Sequence, residues 1–313
     1  MFELVQKRHI YFTISAVLLG LSIVAMIYST ITFGSPLRLG IDFTSGSRLE
    51  LSFEQPVSDE DIRAAVAAFN PEFGDATVVK VGGTDTDVVI RTKSMDLATK
   101  QALVDALVAE FGPATEQSFQ TVGPTVGQET TRAAVFAILA SSLAILFFVA
   151  IAFRKVPNAI RYGVCAIAKM FHDVIILLGL ASLAGIFAGW EADSLFLTAL
   201  VTVVGFSVQD VIVVFDRIRE NIRRRRGEPF EMIVNRSLLE TLHRSLATQM
   251  NAIFIMIAII FFGGSSVRDF MITMLVGMAT GTYSSLFFAV PLLAVWQTGD
   301  WKSMFKRPKS ATA

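Results

Sequence analysis

The sequence has a single cysteine, Cys165, so an intrachain disulfide bond is excluded, and its apolar surroundings favour a small core residue over thiol chemistry. Charged residues are also few: they make up 17% of the 313 residues, and the formal net charge is zero. Hydrophobic residues reach 53%, and the mean hydropathy is +0.58. A chain this apolar is atypical of a soluble domain and predicts several membrane spans.

The neutral net charge results from an uneven distribution of charge along the chain. Residues 34–131 contain fifteen acidic and seven basic residues, so the rest of the sequence has an excess of basic residues. This division predicts that the acidic segment and the basic segments lie in different compartments.

Six apolar runs are long enough to cross a hydrocarbon core, which requires about 20 helical residues. They are residues 10–31, 133–153, 160–187, 194–215, 245–262 and 270–296. The first run is longer than the apolar part of a secretory signal, and no small-residue cleavage motif follows it. We therefore expect a retained span, and in total a membrane protein of six transmembrane helices in a 1+5 arrangement.

The positions of Lys and Arg near the span ends predict the orientation. With a cytoplasmic N-terminus, the short basic segments all fall on the cytoplasmic side; they contain Lys7 and Arg8, Arg154 and Lys155, the run 217–226, and Lys306, Arg307 and Lys309. The expected organisation is a cytoplasmic start and first span (1–33), an extracytoplasmic domain (34–131), a five-helix bundle (132–296) with a basic cytoplasmic loop (216–244), and a basic cytoplasmic tail (297–313).

The soluble segment between the first and second spans alternates strand and helix patterns. The expected strands are 48–53, 77–81, 87–92 and 116–122, and the expected helices are 58–69 and 94–111. The order βαββαβ predicts an α+β ferredoxin-like domain. Gly82-Gly83 fits a turn between the middle strands, since no Lys-Ser/Thr pair or helix start follows it as in a phosphate-binding loop. The segment has no nucleophile-and-base or metal-ligand pattern, so we expect no enzyme activity.

Ionisable residues occur inside two of the apolar runs, where their desolvation is costly and a functional role is the default hypothesis. Lys169, His172 and Asp173 lie in the third run. Lys169 and Asp173, four residues apart, can form an ion pair on one helix face that serves only to hold the bundle together. They can equally contribute to a pathway for protons, with Lys169 pairing with either Asp173 or Asp210.

Asp210 is the ionisable residue inside the fourth run, and Ser207 and Gln209 are its polar neighbours in sequence. Arg244, at the start of the fifth run, has two interpretations: a surface charge that extends into the headgroups, or a counter-ion for Asp210. Beside an arginine the acid is stabilised as the anion, while desolvation stabilises its protonated form. These opposed effects suit a carboxylate that binds and releases a proton as helices move.

Three further segments have simple structural interpretations. The basic run 217–226 fits a topology signal better than an anionic-lipid or nucleic-acid patch. Residues 228–242 are typical of an amphipathic helix on the membrane surface, with Ile233 and Leu238 on its apolar side. Gly277-x-x-x-Gly281 predicts close helix–helix contact.

Several short motifs, taken together, resemble the SecF family of protein-export membrane proteins, within the SecD/SecF group of the resistance-nodulation-division superfamily. They are Gly40-Ile41-Asp42-Phe43-Thr44, His172-Asp173, the run 205–221 that includes Asp210 and ends in Asp216-Arg217-Ile218-Arg219-Glu220-Asn221, the run 241–245, and Phe262-Gly263-Gly264. The sequence departs from the family pattern at Ser45, Lys169-Met170, Gln209 and Gln249-Met250-Asn251.

The resemblance implies an accessory subunit of the Sec translocase in the bacterial cytoplasmic (inner) membrane. Such a subunit pairs with SecD, acts with the SecA motor and the SecYEG channel, and has YajC and YidC as further candidate partners. It promotes translocation of unfolded secretory polypeptides with the proton-motive force as its energy source and without a cofactor. The residues matching Asp210 and Arg244 belong to an intramembrane proton path, which an aspartate of SecD completes.

Two alternatives remain open at the level of the sequence. The chain can be one half of a proton-driven exporter of small molecules or lipids from the same superfamily, in which case a second half is required. It can also be a structural clamp of the Sec channel that uses no proton gradient. No feature of the sequence predicts binding to nucleic acid.

Overall fold

The computed structural model describes residues 4–80, 85–154, 159–225 and 227–304. The helices in this part of the chain are α1 Arg8–Phe33, α2 Ile41–Thr44, α3 Asp59–Phe69, α4 Leu97–Phe111, α5 Pro124–Phe153, α6 Ala159–Ala188, α7 Ser194–Arg224, α8 Phe230–Phe262, α9 Ser265–Ser284 and α10 Val290–Thr298. The strands are β1 Gly46–Phe53, β2 Thr77–Lys80, β3 Asp87–Thr92 and β4 Ala114–Val122. Short 3-10 turns occupy Val5–Lys7, Pro71–Phe73 and Trp301–Met304.

The chain forms two compact units. The sheet unit consists of residues 28–137 and 181–194, and the helical unit consists of residues 1–27, 138–180 and 195–313.

The sheet unit is built on four antiparallel strands in the order β2-β3-β1-β4. Leu49, Leu51 and Phe53 alternate along β1 and are buried, as expected for a strand with one covered face. Ile62 of α3 and Leu103 of α4 are also fully buried and belong to the same apolar cluster. The two predicted helices therefore bury apolar faces together with β1 in a single core.

The predicted elements of this unit are found with small shifts at their ends. Strand β3 spans the predicted residues, while β4 begins two residues earlier, at Ala114. Helix α4 begins at Leu97 rather than at residue 94, because the side chain of Asp96 accepts a hydrogen bond from Thr99 N and caps the helix there. The short helix α2 was not predicted. The turn predicted at Gly82-Gly83 lies outside the described residues, as do Lys155, Arg226, Lys306, Arg307 and Lys309.

Helix α7 lies at the centre of the helical unit. Its buried residues Val211, Phe215 and Ile218 pack in one cluster with Leu238 and Leu293, and Cys165 lies in the same cluster. The glycines of the predicted close-contact motif lie against α7: a Cβ at Gly277 would collide with the side chain of Val203, and one at Gly281 would lie 3.3 Å from Ser207 Cβ. The prediction of close helix–helix contact is confirmed, and its location is beside Ser207.

Six helical segments within the described residues are long and apolar enough to cross a membrane, and they coincide with the six predicted apolar runs. The sixth, Val267–Thr298, includes α9, α10 and a π-helical segment at Ser285–Ala289 between them. Within the segment 216–244, predicted as a basic cytoplasmic loop that includes an amphipathic helix, α7 continues to Arg224 and α8 begins at Phe230. The predicted amphipathic surface helix is thus the start of α8, and Ile233 and Leu238 are buried on its apolar side.

Arg8, at the start of α1, is almost fully buried in the helical unit. Its guanidinium pairs with Glu231 at 2.5 Å and with Asp300 at 3.3 Å. Next to it, the side-chain oxygen of Asn235 accepts hydrogen bonds from the backbone amides of Leu4 and Val5, at 2.9 and 3.2 Å. These contacts join the start of the chain to the start of α8 and to the end of the described residues.

Candidate functional site

A buried polar cluster in the helical unit is formed around Lys169 of α6. The ammonium donates to Asp173 Oδ2 at 2.9 Å and to the backbone oxygen of Ser207 at 2.7 Å, and it also contacts Ser207 Oγ. Ser207 Oγ in turn donates to Asp173 Oδ2. All three residues are at most 3% exposed, so the two opposite charges are buried together and compensate each other.

His172 completes this cluster on the other side of the carboxylate. Its Nδ1 lies 3.0 Å from Asp173 Oδ1, and its ring stacks on Phe288 with a centroid distance of 4.7 Å. The other ring nitrogen, Nε2, is buried and makes no hydrogen bond to any described residue. Both oxygens of Asp173 therefore have partners, and this carboxylate is held by a cation, a hydroxyl and an imidazole at the same time.

Asp210 has a different environment although it lies one helical turn after Ser207 on α7. It is half-buried, and its Oδ2 accepts a hydrogen bond of 2.6 Å from Gln249 Nε2 on α8. No described cation lies within ion-pair distance of it, although Lys169 attracts it electrostatically at longer range. Of the two intramembrane acids, Asp173 is charge-compensated and enclosed, whereas Asp210 has one neutral partner and remains partly accessible.

Arg244 and Gln209, also predicted as site residues, are both exposed. Arg244 makes no ion pair within the described part of the chain, so the expected contact between Arg244 and Asp210 is not formed in this structure. The helical geometry explains the difference: Arg244 and Gln249 are five residues apart, which places them about 140° apart around α8. When Gln249 faces Asp210, Arg244 faces another direction, into a cavity of about 420 Å³ that Asp216 and Glu240 also line.

The predicted motif at the end of α7 forms a polar network with α8. Arg217 pairs with Glu220 and with Glu240, both at 2.6 Å, and Asn221 Nδ2 donates to Ser237 Oγ and Glu240 Oε2, both at 2.9 Å. Asp216 and Arg219 form an ion pair on α7 itself. Glu240 accepts from both Arg217 and Asn221 and, together with Ser237, joins α8 to α7.

Gly40 and Asp42 lie in the sheet unit. The backbone N–H of Gly40 donates to Ala192 O at 2.8 Å, and the carboxylate of Asp42 accepts hydrogen bonds from Ser194 at the start of α7. In the same unit, burial raises the pKa of Glu191, and the nearby guanidinium of Arg91 opposes this rise.

Sequence reasoning did not assign roles to Gln249, Glu240, Arg91 or Glu191. Gln249 stands out in the sequence as a polar residue in an apolar span and as a departure from the family pattern. Its angular separation from Arg244 around α8 indicates that the two residues cannot both face Asp210, and this signal could have identified Gln249 as the alternative partner. The roles of Glu240, Arg91 and Glu191 depend on tertiary contacts that no local pattern reveals.

Comparison with known proteins gives two family-model matches. Residues 103–299 match the family described as "Protein export membrane protein SecD/SecF, C-terminal", and residues 30–57 match the "SecD/SecF GG Motif". The second match contains Gly40 and Asp42, and the first contains the intramembrane cluster, Asp210 and Arg244.

Curated relatives cover the whole chain. The chain is 43% identical to the protein translocase subunit SecF of Thermobaculum terrenum, over 100% of this chain and 99% of that protein. It is 41% identical to the protein of the same name from Anaerolinea thermophila, over 98% of each.

Among solved structures, SecDF of Thermus thermophilus, a translocon-associated membrane protein, matches 95% of this chain with a TM-score of 0.78 and 30% identity. The chain spans only 39% of the length of that solved chain. Because a family model matches more than half of the chain, and relatives over 40% identical match it from end to end, the chain belongs to the SecF family of protein translocase subunits.

Proposed function

We propose that the chain is an accessory subunit of the Sec translocase which, with a SecD-type partner, uses the proton-motive force to promote translocation of unfolded secretory polypeptides. The proposal assigns it to the bacterial inner membrane, with both termini in the cytoplasm. The SecYEG channel is the proposed assembly partner, and YajC and YidC are further candidates. The names of the relatives support the translocase assignment, and the partial coverage of the solved SecDF chain supports a SecD-type partner.

One observation supports proton coupling above the others: Asp173 and Asp210, the acids inside the apolar runs of the helical unit, have unequal partners. Asp173 is held by Lys169, Ser207 and His172, so protonating it would leave a buried ammonium without its counter-ion. Asp210 has a single neutral donor, Gln249, and is half-buried. Protonation of Asp210 therefore leaves no buried charge unpaired, and Asp210 is the acid that we assign as the proton carrier.

In the proposed cycle a proton from the extracytoplasmic side binds the Asp210 carboxylate and is later released to the cytoplasm, so that the group returns to its anionic form. The neutral acid no longer attracts Lys169 or a second cation, and helix α7 can move relative to its neighbours. Moving one unit charge across a potential of 100 mV yields about 2.3 kcal/mol, which is sufficient to shift a two-state equilibrium.

Arg244 has a distinct part in this proposal. It lies on the neighbouring helix α8, it is exposed, and it makes no ion pair in the described part of the chain. It faces the cavity that Asp216 and Glu240 also line, so its guanidinium is accessible to a further carboxylate. We assign it to the proton path together with a carboxylate of the SecD-type partner, with Gln209 and Ser207 as polar neighbours of Asp210.

The sheet unit is assigned as the extracytoplasmic part that moves with this cycle. Its element order and its strand order β2-β3-β1-β4 support a ferredoxin-like domain, placed between the first and the remaining five spans. An ordered domain of this kind, without a nucleophile or metal pattern, is suited to contact a polypeptide rather than to modify it.

The proposal is tested by Asp210→Asn in vesicles that contain the chain, its SecD-type partner, the channel and the motor. Asparagine keeps the size and can still contact Gln249 but cannot carry a proton. We expect export to lose its response to an imposed proton gradient, while Asp75→Asn, on the exposed surface of the sheet unit, retains it. Export that responds to the gradient as before in Asp210→Asn rejects the assignment.

A structural clamp is the second candidate, because the Lys169–Asp173–Ser207 cluster is compatible with a purely static role. It predicts that collapsing the gradient leaves the contribution of the chain to export unchanged. The same vesicles, measured with and without a protonophore, distinguish the two functions.

A further inference from the structure

A pairing between two chain segments of the sheet unit holds the beginning of α7. Residues 38–44 and residues 189–194, named here the clasp, join through a parallel bridge between Leu39 and Ala192. Gly40 N donates to Ala192 O at 2.8 Å, and Ala192 N donates to Arg38 O at 2.7 Å. These are backbone contacts between positions far apart in sequence, so the clasp is a tertiary feature and not a local turn.

Asp42 adds a side-chain contact at the end of the clasp. Its Oδ2 accepts two hydrogen bonds from Ser194, one from the backbone N–H at 2.9 Å and one from the hydroxyl at 2.6 Å. Ser194 is the first residue of α7, and its N–H has no partner within the helix. A carboxylate at this place satisfies that N–H and interacts favourably with the positive end of the helix dipole.

Arg91 connects the clasp to the sheet. It lies on β3, and its guanidinium donates to Leu39 O at 2.9 Å and to Thr44 Oγ1 at 3.3 Å. It also pairs with Glu191 at 3.3 Å, with both side chains less than one-fifth exposed. One side chain of the sheet thus contacts both segments of the clasp, and the clasp has a direct connection to strand β3.

Close packing leaves little freedom for the two segments to separate or slide. A Cβ at Gly40 would lie 3.2 Å from Asp193 Cβ and 3.4 Å from Ala192 O, so only glycine fits without displacement. Gly189, the first residue of the second clasp segment, has φ of +68°, a backbone conformation that favours glycine. Substitution of Gly40 or Gly189 would therefore disturb the clasp.

We propose that Asp42 is a positioning residue that couples the sheet unit to proton transfer, by fixing the beginning of the helix that carries Asp210. The inference rests on the proposed function. Its basis is that α7 is one continuous helix that begins at Asp42's hydrogen-bond partner and contains Asp210. A movement of β3 reaches Ser194 through Arg91 and the clasp, and a shift of α7 reaches β3 by the same contacts.

The test measures proton flux and export separately in the reconstituted vesicles that contain the SecD-type partner, the channel and the motor. In Asp42→Ala, we expect the amount of polypeptide exported per proton to fall about tenfold, as is reasonable for the loss of two hydrogen bonds to a charged group. Proton flux itself should remain, because Asp210 and its partners are unchanged. Asp42→Asn, which keeps an oxygen acceptor, should recover much of the ratio, and Asp75→Ala should match the unmodified chain.

A local measurement and a rescue distinguish positioning from general destabilisation. Amide exchange at the first turn of α7 should accelerate in Asp42→Ala, while exchange in α4 should not change. In a background with Cys165→Ala, the pair Leu39→Cys and Ala192→Cys places thiols at bridged positions, whose spacing suits a disulfide bond. Formation of this disulfide bond should restore the export-to-proton ratio of Asp42→Ala to that of the unmodified chain. Reduction of the bond should lower the ratio again.

The outcomes separate this inference from the function on which it rests. An unchanged export-to-proton ratio in Asp42→Ala overturns the inference, as does an equal loss of flux and export that oxidation fails to rescue. Proton flux that persists in Asp210→Asn overturns the proposed function instead.

Discussion

Gln249 donates a hydrogen bond of 2.6 Å from its side-chain amide to the carboxylate of Asp210. This neutral donor occupies the place where an arginine was expected, and the difference follows from the angular separation of Gln249 and Arg244 around α8. A neutral partner stabilises the anion by hydrogen bonding without binding it as strongly as an ion pair. Asp210 can therefore change its protonation state at a smaller cost than Asp173.

Removing this donor should impair proton-driven export. In Gln249→Leu the Asp210 anion loses a charge-assisted hydrogen bond of about 1.5–3 kcal/mol, which corresponds to an effect of about tenfold or more on the gradient-dependent rate. Thr248→Val is the control and should have little effect, because Thr248 is exposed and its hydroxyl donates to the backbone oxygen of Arg244 one turn earlier in the same helix. Equal rates for Gln249→Leu and the unmodified chain would exclude a role for this hydrogen bond.

The buried cluster predicts opposite results for single and double substitutions. Lys169→Met leaves the Asp173 anion buried without its cation and should reduce the free energy of unfolding by about 3–5 kcal/mol. Lys169→Met combined with Asp173→Asn removes both charges and should recover most of that loss. Unfolding in a mixed-micelle denaturant titration measures both; a double variant as unstable as the single one would show that the charges do not compensate each other.

The packing of α9 on α7 predicts different effects for two glycine substitutions. Gly277→Ala places a methyl group against the branched side chain of Val203 and should destabilise the chain by about 1–3 kcal/mol. Gly205, on α7, has open space where its Cβ would be, so Gly205→Ala should be neutral or stabilising by up to about 1 kcal/mol. The same unfolding titration compares them, and similar values for both would contradict the close helix contact.

The cap of α4 predicts a pH dependence in the sheet unit. Hydrogen bonds from Thr99 lower the pKa of Asp96 below its usual range, so the folded state binds the proton less tightly than the unfolded state. The stabilisation by this carboxylate is present above its unfolded pKa of about 3.9 and is lost as the pH falls through the lower folded pKa. Amide exchange in α4, corrected for intrinsic rates, should show increased opening over that range.

The matched variant for this experiment is Asp96→Asn, because asparagine caps a helix about as well as aspartate but does not titrate. Its α4 exchange should have a weaker pH dependence than that of the unmodified chain. The same pH dependence in both would assign the effect to another group.

The predictable parts of this protein are those that depend on local periodicity. The six spans, strand β3 and the helix around Ile62 follow from apolar runs and from alternation, and they are found as predicted. Patterns were less informative where a helix changes environment along its length. In the segment 216–244 the sequence predicted one amphipathic helix, at 228–242, but not the continuation of α7 to Arg224, where Arg217 and Asn221 have acceptors on the facing helix.

The sequence predicted which residues form the site, but only part of the contacts between them. Asp210, Asp173 and Lys169 stand out in sequence, since ionisable groups in apolar runs are rare. Which acid Lys169 pairs with depends on the position of Ser207, and this is set by the glycines of α9 that allow close approach. The contact of Asp42 with Ser194 connects positions that no sequence period relates.

Arg8 makes the order of synthesis relevant to assembly. The residue is synthesised well before its partners Glu231 and Asp300, which lie 223 and 292 positions later in the chain. Until then its guanidinium cannot have the neighbours that it has in the finished protein. Helix α1 can therefore complete its contacts only after α8 and Asp300 have been synthesised, and a chain that ends before Asp300 would keep only the Glu231 ion pair of these two.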